Sequence, residues 1–589
     1  MSKALMTDKS VAILPFINLS PDKDNEYFSD GITEEIILAL SKTKGLKVIA
    51  RTSSFMFKDK HLDVRAIGNQ LGVATILEGS VRKSGMDVRI SVRLVRTSDG
   101  FQIWSMKFDR QLEDIFKLQD EISLLVADKI RENFGHIELQ PSLVSADSSN
   151  FDAYDYYLKG RYEQLKWTND ALLRAIENYR KAIQLDPELF RAYYGIVLCY
   201  TYMLFWSSGE EARSEVYKYL EKAVEINSDS LDYHLAKAST DMMIEWDHSS
   251  AIDHFKRSLE MNPNNAEAIE AIAGMYIMVG QFDEAMIHID RALEINPLSL
   301  NHTFMKGNIL YFSGEYEKAI QQMNKVLKQD PKWIFAVQLK AAALILTDNK
   351  AELEEILEEF SELPFMDYYT TLYRLYHHQP ISEYEQPFLA DETIHPWRLY
   401  FLTLEENYDQ AFEMLEEGLN QKHGKYICFN YDPFLVKLKT REEYNNLQEF
   451  LPQKFPLLSE IYEDSSDSRP LITDKEEHKE LVRALDKSME VEELYLDPKL
   501  SLSNLADHIN TSSNKLSWLI NQDKRANFHH FINSYRLEHF KKMAVLPENQ
   551  NLTLLGIAFE CGFNSKTTFN DYFKKSTGLT PRRWLKEQK

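Results

Sequence analysis

The chain writes one pattern twice near its C-terminus, first as Leu502-Ser-Asn-Leu-Ala506-Asp-His-Ile-Asn-Thr-Ser512-Ser-Asn-Lys-Leu516-Ser-Trp-Leu-Ile520 and again as Leu554-Leu-Gly-Ile-Ala558-Phe-Glu-Cys-Gly562-Phe-Asn-Ser565-Lys-Thr-Thr-Phe569-Asn-Asp-Tyr-Phe573. Ala506 and Ala558 lie 52 residues apart, and Ser512 and Ser565 lie 53 apart. One helix–turn–helix unit is therefore duplicated, with one extra residue at the second turn.

Each unit has the residue types that two packed helices need. A small alanine lets the first helix approach the second, and Gly562 can adopt the positive φ of a tight turn without steric cost. Ser512 and Ser565 stand where a helix N-cap is wanted. Apolar residues at helical spacing leave the opposite face free to enter a DNA major groove. Two ordinary helical hairpins are the alternative, but the duplication favours DNA binding.

The end of the chain resembles the AraC/XylS family of bacterial regulators. The matching text is Gly562-Phe-Asn-Ser-Lys-Thr-Thr-Phe569, Phe573-Lys-Lys, Thr577-Gly-Leu-Thr-Pro581-Arg-Arg-Trp and the bridging Phe531-Ile-Asn-Ser-Tyr-Arg536-Leu-Glu. It covers about residues 480–589. The resemblance implies a seven-helix domain that places two recognition helices in successive major grooves on one face of the DNA.

The resemblance also assigns candidate base-reading residues by position. They are Asn514, Ser517 and Trp518 in the first recognition helix, and Lys566, Thr567, Asn570 and Asp571 in the second. Asparagine can pair with adenine through two hydrogen bonds, lysine can donate to guanine, and aspartate can accept from cytosine. The family often carries a longer polar residue at the position of Trp518, whose indole could instead contact a thymine methyl or a sugar.

The charge distribution supports a DNA-binding tail. The whole chain has a formal net charge of −23, yet residues 500–589 hold 13 Lys and Arg against 7 Asp and Glu, a net +6. An acidic body repels DNA while the basic tail attracts it. The candidate phosphate contacts, which set position but not sequence, are Lys574, Lys575, Arg582 and Arg583. A solvated basic face is the alternative for these four residues.

The middle of the chain repeats with a period of 34 residues. The dipeptides Asn262-Pro263, Asn296-Pro297 and Asp330-Pro331 recur at that spacing, each after a frame of alanine, apolar and small residues. This is the period and pattern of the tetratricopeptide repeat. Five repeats are predicted between about 153 and 333, with degenerate helical pairs to about 455. Stacked repeats form a curved solenoid, which predicts a groove for a protein or peptide partner, or a spacer as the alternative.

The N-terminal region has a different pattern. Val11-Ala-Ile-Leu-Pro-Phe16 suits a buried strand, Asp30 could cap a helix through about Ser41, and Glu34 and Glu35 favour its positive end. Residues 47–50 predict a strand, 64–71 a helix, and 74–82, 87–97 and 102–109 three further strands. A long helix over 112–134 follows. The order βαβαβββ predicts an α/β domain with a mixed sheet.

The same region resembles the TolB-N-terminal-like domain that often precedes tetratricopeptide repeats in bacterial signalling proteins. The matching text includes Leu14-Pro-Phe-Ile-Asn-Leu-Ser20, Tyr27-Phe-Ser-Asp-Gly-Ile-Thr33-Glu, Val48-Ile-Ala-Arg-Thr-Ser-Ser-Phe55 and Leu77-Glu-Gly-Ser-Val-Arg82. Relatives of this domain occur beside adenylate cyclases and DNA-binding regions, which implies an accessory role. Asp22, Asp24, Glu26 and Asp30 could form a metal site, but an acidic loop and helix cap is the better interpretation.

Composition argues against several classes of protein. The three cysteines have no paired spacing, so we expect neither disulfides nor zinc motifs. No segment approaches 18 uninterrupted apolar residues, so we expect a soluble cytoplasmic protein without a membrane partner. We find no P-loop, His-Glu-x-x-His or Gly-x-Ser-x-Gly motif. The sequence therefore predicts no catalytic residues, no metal and no cofactor.

Together these patterns predict a multidomain protein. An N-terminal α/β domain (8–138) precedes an all-α tetratricopeptide solenoid (151–456), a polar linker (457–478) and an all-α double helix–turn–helix domain (479–589). The predicted function is AraC-type regulation of transcription on double-stranded DNA, with a protein or ligand signal received by the repeats. Homodimerisation would bring two DNA-binding ends together. The alternatives are a signalling scaffold, or an accessory subunit of a nucleotide cyclase pathway, with weak DNA binding.

Overall fold

The computed structural model of the chain describes residues 9–22, 25–144, 150–166, 168–206, 210–362, 366–379, 395–458, 472, 474–549 and 551–588. Most of the predicted linker 457–478 lies outside these residues. One part of that prediction is wrong, because the helix Lys475–Glu490 begins inside the range, where the Asp474 side chain accepts a hydrogen bond from the Glu476 N–H.

The N-terminal residues form a mixed sheet with helices. Its strands are β1 (Ser10–Ile13), β2 (Ile17–Asn18), β3 (Lys47–Val48), β4 (Thr75–Ser84), β5 (Asp87–Arg96) and β6 (Gln102–Gln111). The order is β3-β1-β4-β5-β6, with β2 beside β4. β1 runs parallel to β3 and β4, whereas β4, β5 and β6 are antiparallel. The predicted mixed sheet is confirmed, and the sequence missed only β2 and the short helix Arg51–Phe55.

Alternation of side chains explains the antiparallel half of the sheet. Along β5, Val88, Ile90, Val92 and Leu94 are buried at every second position, as expected for a strand with one face on the core. The helices Glu26–Ser41 and Ile115–Phe134 cover that face. The second of these, here called the exit helix, matches the predicted long helix except that residues 112–114 form a 3₁₀ turn.

The predicted cap of the first helix is wrong. The helix begins at Glu26 after Asn25, so Asp30 lies inside it and is buried. Burial raises the pKa of the Asp30 carboxyl, and the Lys58 ammonium at 2.7 Å opposes that shift. Asp30 is therefore a partner of Lys58. Asp24 lies outside the described residues.

The α/β region and the first repeats share one hydrophobic core. Residues from β1 through the exit helix pack in the same cluster as repeat residues up to Cys199. At this junction Glu35 pairs with Arg191 at 3.1 Å, and Glu34 pairs with Arg161 and Arg51. Burial would raise the pKa of Glu34, but the two guanidinium groups outweigh it and lower the pKa. The two glutamates thus attach the α/β region to the solenoid.

Two repeat turns also hold the α/β region. The Asn264 side chain donates to the Ser41 and Leu46 carbonyls at 2.9 Å each. The Asn296 side-chain oxygen accepts from the Ser53 N–H at 3.1 Å. Both asparagines are buried and stand beside the repeat prolines that the 34-residue period identified. Part of the surface of the repeats is therefore covered by the α/β region of the same chain.

The predicted repeats are helical pairs. The five pairs are Phe151–Gln164 with Asn169–Leu185, Phe190–Trp206 with Glu210–Ile226, Leu231–Thr240 with His248–Met261, Ala266–Met278 with Phe282–Ile295, and Leu300–Phe312 with Tyr316–Gln329. A sixth pair, Ile334–Leu346 with Lys350–Glu359, follows them. Residues 207–209, between the two helices of the second pair, lie outside the described residues. Helices Met366–Tyr376, Trp397–Leu404 and Tyr408–Asn420 continue the array, as the degenerate pattern indicated.

The array ends in 3₁₀ turns and an extended strap, residues 455–458. The turns are Gly424–Tyr426, Phe429–Tyr431, Pro433–Thr440 and Glu442–Phe450. The strap lies against the fourth pair, where Gln281 exchanges two hydrogen bonds with the Phe455 main chain and the Tyr276 hydroxyl donates to the Pro456 carbonyl at 2.6 Å. The buried side chains of Phe455 and Leu458 complete the contact.

Candidate DNA-binding site

Seven α-helices lie in the described residues 474–549 and 551–588, the number that the family resemblance implied. They are Lys475–Glu490, Leu502–His508, Ser513–Asp523, Phe528–Ala544, Leu554–Glu560, Lys566–Thr577 and Pro581–Glu587. Ser513–Asp523 is the first recognition helix, Lys566–Thr577 the second, and Phe528–Ala544 the connecting helix.

The predicted caps stand at both recognition helices. The Ser512 hydroxyl accepts from the Lys515 N–H at 3.2 Å, and the Ser565 hydroxyl accepts from the Thr568 N–H at 3.1 Å. Such caps satisfy a backbone donor that the first helical turn leaves unpaired. Ala506 and Ala558 are buried between the helices of each unit, as their small size suggested.

The two turns reverse the chain in different ways. The first uses Asn510 at φ +60°, and the second uses Gly562 at φ +89°. A Cβ on Gly562 would lie 2.3 Å from the Tyr495 carbonyl oxygen and 2.9 Å from that of Leu496. The second turn thus packs directly on the main chain of the 3₁₀ turn Leu494–Leu496, which precedes the first unit, and only glycine fits there.

Arg536 ties the connecting helix to the segment that precedes the first unit. Its Nε donates to the Tyr495 carbonyl and its Nη2 to the Asp497 carbonyl, both at 2.7 Å. Burial lowers the pKa of this guanidinium to about 10. Arg536 therefore has a structural role that sequence reasoning missed, although it stands in the bridging segment that carried the family resemblance.

The second recognition helix exposes its candidate base-reading residues. Lys566, Thr567 and Asp571 are exposed and Asn570 is half-buried, while Phe569 and Phe573 on the other face are buried with Phe540 of the connecting helix. The reading candidates fall at i, i+1, i+4 and i+5, which is one face of a helix. This face offers one ammonium, one amide, one hydroxyl and one carboxylate.

The candidate phosphate contacts surround that face. Lys574, Lys575, Arg582 and Arg583 are exposed. Arg583 pairs with Glu587 at 3.5 Å, whereas no ion pair within 4.0 Å is found for the other three among the residues that the structure describes. Unpaired surface cations of this kind can release counterions from a phosphate backbone when they bind it.

The first recognition helix differs, because its candidate residues are covered. Ser517 is only 6% exposed and Trp518 is half-buried. Asn514 is hydrogen-bonded to Leu139 and Arg131 of the α/β region. Nearby cations are paired as well, Lys515 with Glu477 and Lys524 with Asp486. The two halves of the site therefore present unequal surfaces in this conformation.

Within the described ranges, no group of three or more His, Cys, Asp or Glu is placed to hold a metal ion. Two histidines of the connecting helix are hydrogen-bonded to tyrosine hydroxyls at 2.8 Å. His530 pairs with Tyr572, and His539 pairs with Tyr495. No helix among the described residues has the length and apolar character needed to cross a membrane.

Family models match three parts of the chain. Residues 505–587 match a helix-turn-helix domain, and residues 7–125 match the second domain of HilA/YgeH-like transcriptional regulators. Residues 242–306 and 304–332 match tetratricopeptide repeats. The predicted helix–turn–helix and repeat segments are thereby confirmed. The α/β region is similar to a regulator domain, while its resemblance to the TolB-N-terminal-like domain stays a prediction.

Individual relatives match smaller parts. A Rhizobium meliloti (strain 1021) protein named "Putative adenylate cyclase 3" is 38% identical over 186 residues, 31% of either chain. An uncharacterized HTH-type transcriptional regulator of Staphylococcus aureus (strain COL) is 34% identical over 92 residues, 16% of this chain and 12% of the relative. The chain thus spans less than a third of the length of these curated relatives.

Solved repeat proteins are similar over the solenoid. The crystal structure of MamA protein has 20% sequence identity and a TM-score of 0.22, covering 31% of this chain and 93% of that one. A thermophilic tetratricopeptide repeat protein of Thermus thermophilus has 15% identity and a TM-score of 0.27, covering 33% and 99%.

Proposed function

We propose that this chain is a sequence-specific DNA-binding transcription regulator of the AraC type. The observation that carries the proposal is the second recognition helix, whose exposed face combines Lys566, Thr567, Asn570 and Asp571 with unpaired cations at its C-terminal end. Major-groove edges of base pairs present donors and acceptors that these groups complement. The match to a helix-turn-helix model and the similarity to staphylococcal regulators support the same conclusion.

Each candidate has a role in this proposal. Lys566 donates to guanine, Asn570 pairs with adenine, Asp571 accepts from the cytosine amino group, and Thr567 contacts a base or a sugar. Lys574, Lys575, Arg582 and Arg583 bind phosphates. Asn514, Ser517 and Trp518 read a second half-site one helical turn away.

The rest of the chain is the regulatory body in this proposal. The α/β domain, of TolB-N-terminal-like or HilA-like type, is an accessory domain without catalytic residues. The repeats receive a protein or peptide partner on the surface that the α/β domain leaves open. A homodimer would add effective concentration for paired half-sites.

Selection of DNA from a random pool by the full chain tests the proposal. We expect an enriched motif that contains the half-site of the second recognition helix. Lys566→Ala should weaken binding to that motif by about 1–3 kcal/mol and relax the preference at one base pair. Lys586→Ala, which removes the same charge from an exposed position outside the reading face, is the matched control. Recovery of no motif would count against sequence-specific binding.

Removal of a phosphate contact should have a different signature. Arg582→Ala should weaken binding to all sequences about equally and lower the slope of log affinity against log salt by about one, because one fewer phosphate is neutralised. Fluorescence anisotropy titrations at several salt concentrations measure both quantities. An unchanged salt slope would assign Arg582 to the solvated surface.

The similarity to a protein named for adenylate cyclase keeps a second function open. In that alternative the chain is a scaffold or an accessory subunit of a nucleotide cyclase pathway and binds DNA weakly. It predicts association that fades with salt and enriches no sequence. The selection experiment therefore separates the two functions.

A further inference from the structure

The segment that leaves the α/β region lies on the first recognition helix. The Asn514 side-chain oxygen accepts from the Leu139 N–H at 3.2 Å, and its side-chain nitrogen donates to the Leu139 carbonyl at 2.9 Å. Arg131 of the exit helix donates to the same Asn514 oxygen. Every polar atom of the Asn514 side chain is therefore engaged by the α/β region.

The pair of hydrogen bonds on Asn514 has the chemistry of base reading. An asparagine that reads adenine accepts from the N6 amino group and donates to N7. The Leu139 main chain offers the same combination of one N–H donor and one oxygen acceptor to the same side chain. The peptide thus satisfies Asn514 as an adenine edge would.

Further contacts fix this arrangement along the helix. Asn521 lies two turns after Asn514 on the same face, and its side-chain nitrogen is 3.1 Å from where a Cβ on Gly135 would be. Ser517 stands between the two asparagines and is buried. Residues 131–139 therefore contact the first recognition helix at both Asn514 and Asn521.

Two more contacts hold the helices on either side of the first recognition helix. Glu132 accepts from the Leu502 N–H at 3.2 Å, and the Asn527 side chain donates to the Asn133 carbonyl at 2.6 Å. Glu132 is only 2% exposed. A buried carboxylate needs its hydrogen bonds, so this contact is a strong part of the interface.

We propose that residues 131–139 act as an internal substitute for DNA, which occupies Asn514 until the α/β region is displaced, and that Asn514 then reads adenine. This inference rests on the proposed function. The second recognition helix stays exposed, so the closed chain reads one half-site and the released chain reads two. DNA and the α/β region compete for the same face.

Random-pool selection with two full-length proteins tests the proposal. Wild type should enrich the half-site of the second recognition helix alone, and Glu132→Ala should enrich two half-sites, the added one containing an adenine. On a duplex with both half-sites, Glu132→Ala should bind at least about tenfold tighter than wild type, because loss of a charge-assisted hydrogen bond favours the released state. With the first half-site scrambled, the two proteins should bind equally.

Two variants provide controls. Glu121→Ala removes the same charge from the exit helix, but at an exposed residue paired with Arg110, and should bind both duplexes as wild type does. Asn514→Ala combined with Glu132→Ala should lose the gain and the adenine preference. Arg131→Ala replaces Glu132→Ala if thermal unfolding shows that the latter is misfolded, and it should give the same gain.

The outcomes distinguish the two proposals. If variant and wild type enrich the same single half-site and bind both duplexes equally, the internal substitute is refuted while DNA binding stands. If wild type already enriches both half-sites, the internal substitute is likewise refuted while DNA binding stands. If no protein of the series enriches any sequence, the proposed function itself fails and the inference falls with it.

Discussion

Replacing Arg191 with alanine is expected to destabilise the junction between the α/β region and the repeats by about 3–5 kcal/mol. The Arg191 guanidinium donates two hydrogen bonds to Glu35, at 3.1 and 3.2 Å, and lies 4.8 Å from the centre of the Tyr157 ring. Both charged side chains are only 8% exposed. The truncation leaves the Glu35 carboxylate buried without its cation, which is the costly case for an ion pair.

Urea unfolding followed by circular dichroism measures this effect as a shift of the first transition. The control is Arg257→Ala, in a repeat away from the junction. It removes an exposed arginine paired with Glu260 of the same helix and should lower the free energy of unfolding by less than about 1 kcal/mol. Glu35→Leu combined with Arg191→Met should recover most of the loss, because it removes both charges. A loss for Arg191→Ala no larger than that of the control would show that the pair contributes little.

Gly562→Ala is expected to cost about 3 kcal/mol or more. The residue has φ +89°, which costs a side chain about 1–2 kcal/mol. The added Cβ would also overlap the Tyr495 and Leu496 carbonyl oxygens at 2.3 and 2.9 Å. These oxygens belong to main chain, so relief requires the second turn to move away from residues 494–496, and overpacking of this kind costs typically about 1–3 kcal/mol more.

Gly578→Ala is the matched control for that substitution. Gly578 has φ +74° at the end of the second recognition helix, and a Cβ there would meet nothing within 4 Å. It should cost only the conformational part, about 1–2 kcal/mol. Thermal unfolding and anisotropy on the selected DNA measure the two variants together. Equal losses would mean that contact with the Tyr495 and Leu496 main chain adds nothing at Gly562.

Local patterns determined how much of this architecture the sequence could predict. The 34-residue period, the alternation along β5 and the serine caps depend on neighbours within one or two elements, and the structure has them where expected. Asp30 is not a cap because the helix begins at Glu26, and its carboxylate pairs instead with Lys58 of another element. Glu34 and Glu35 have the composition of a helix start, yet their partners are arginines of the repeats.

In the candidate site, too, local features could be predicted and contacts with distant residues could not. Helical spacing alone separated the exposed face of the second recognition helix from its phenylalanine face. The family resemblance assigned Asn514, Ser517 and Trp518 to the reading face by position. No periodicity in the sequence indicates that Arg131, 383 residues earlier, hydrogen-bonds to Asn514. Contacts between distant parts of the chain are set by shape and charge complementarity, which a single sequence does not display.

The asparagines at the repeat turns have a thermodynamic consequence. Asn264 and Asn296 hold the same α/β region whose exit helix covers Asn514. Suppose that a ligand of the repeats loosens this hold. That ligand and DNA bound at the first half-site would then both favour the released state. Thermodynamic linkage makes this coupling reciprocal. The DNA site must raise the affinity for the ligand by the same factor by which the ligand raises the affinity for DNA. One coupling free energy would then describe both the effect of the signal on DNA binding and the effect of DNA on signal binding.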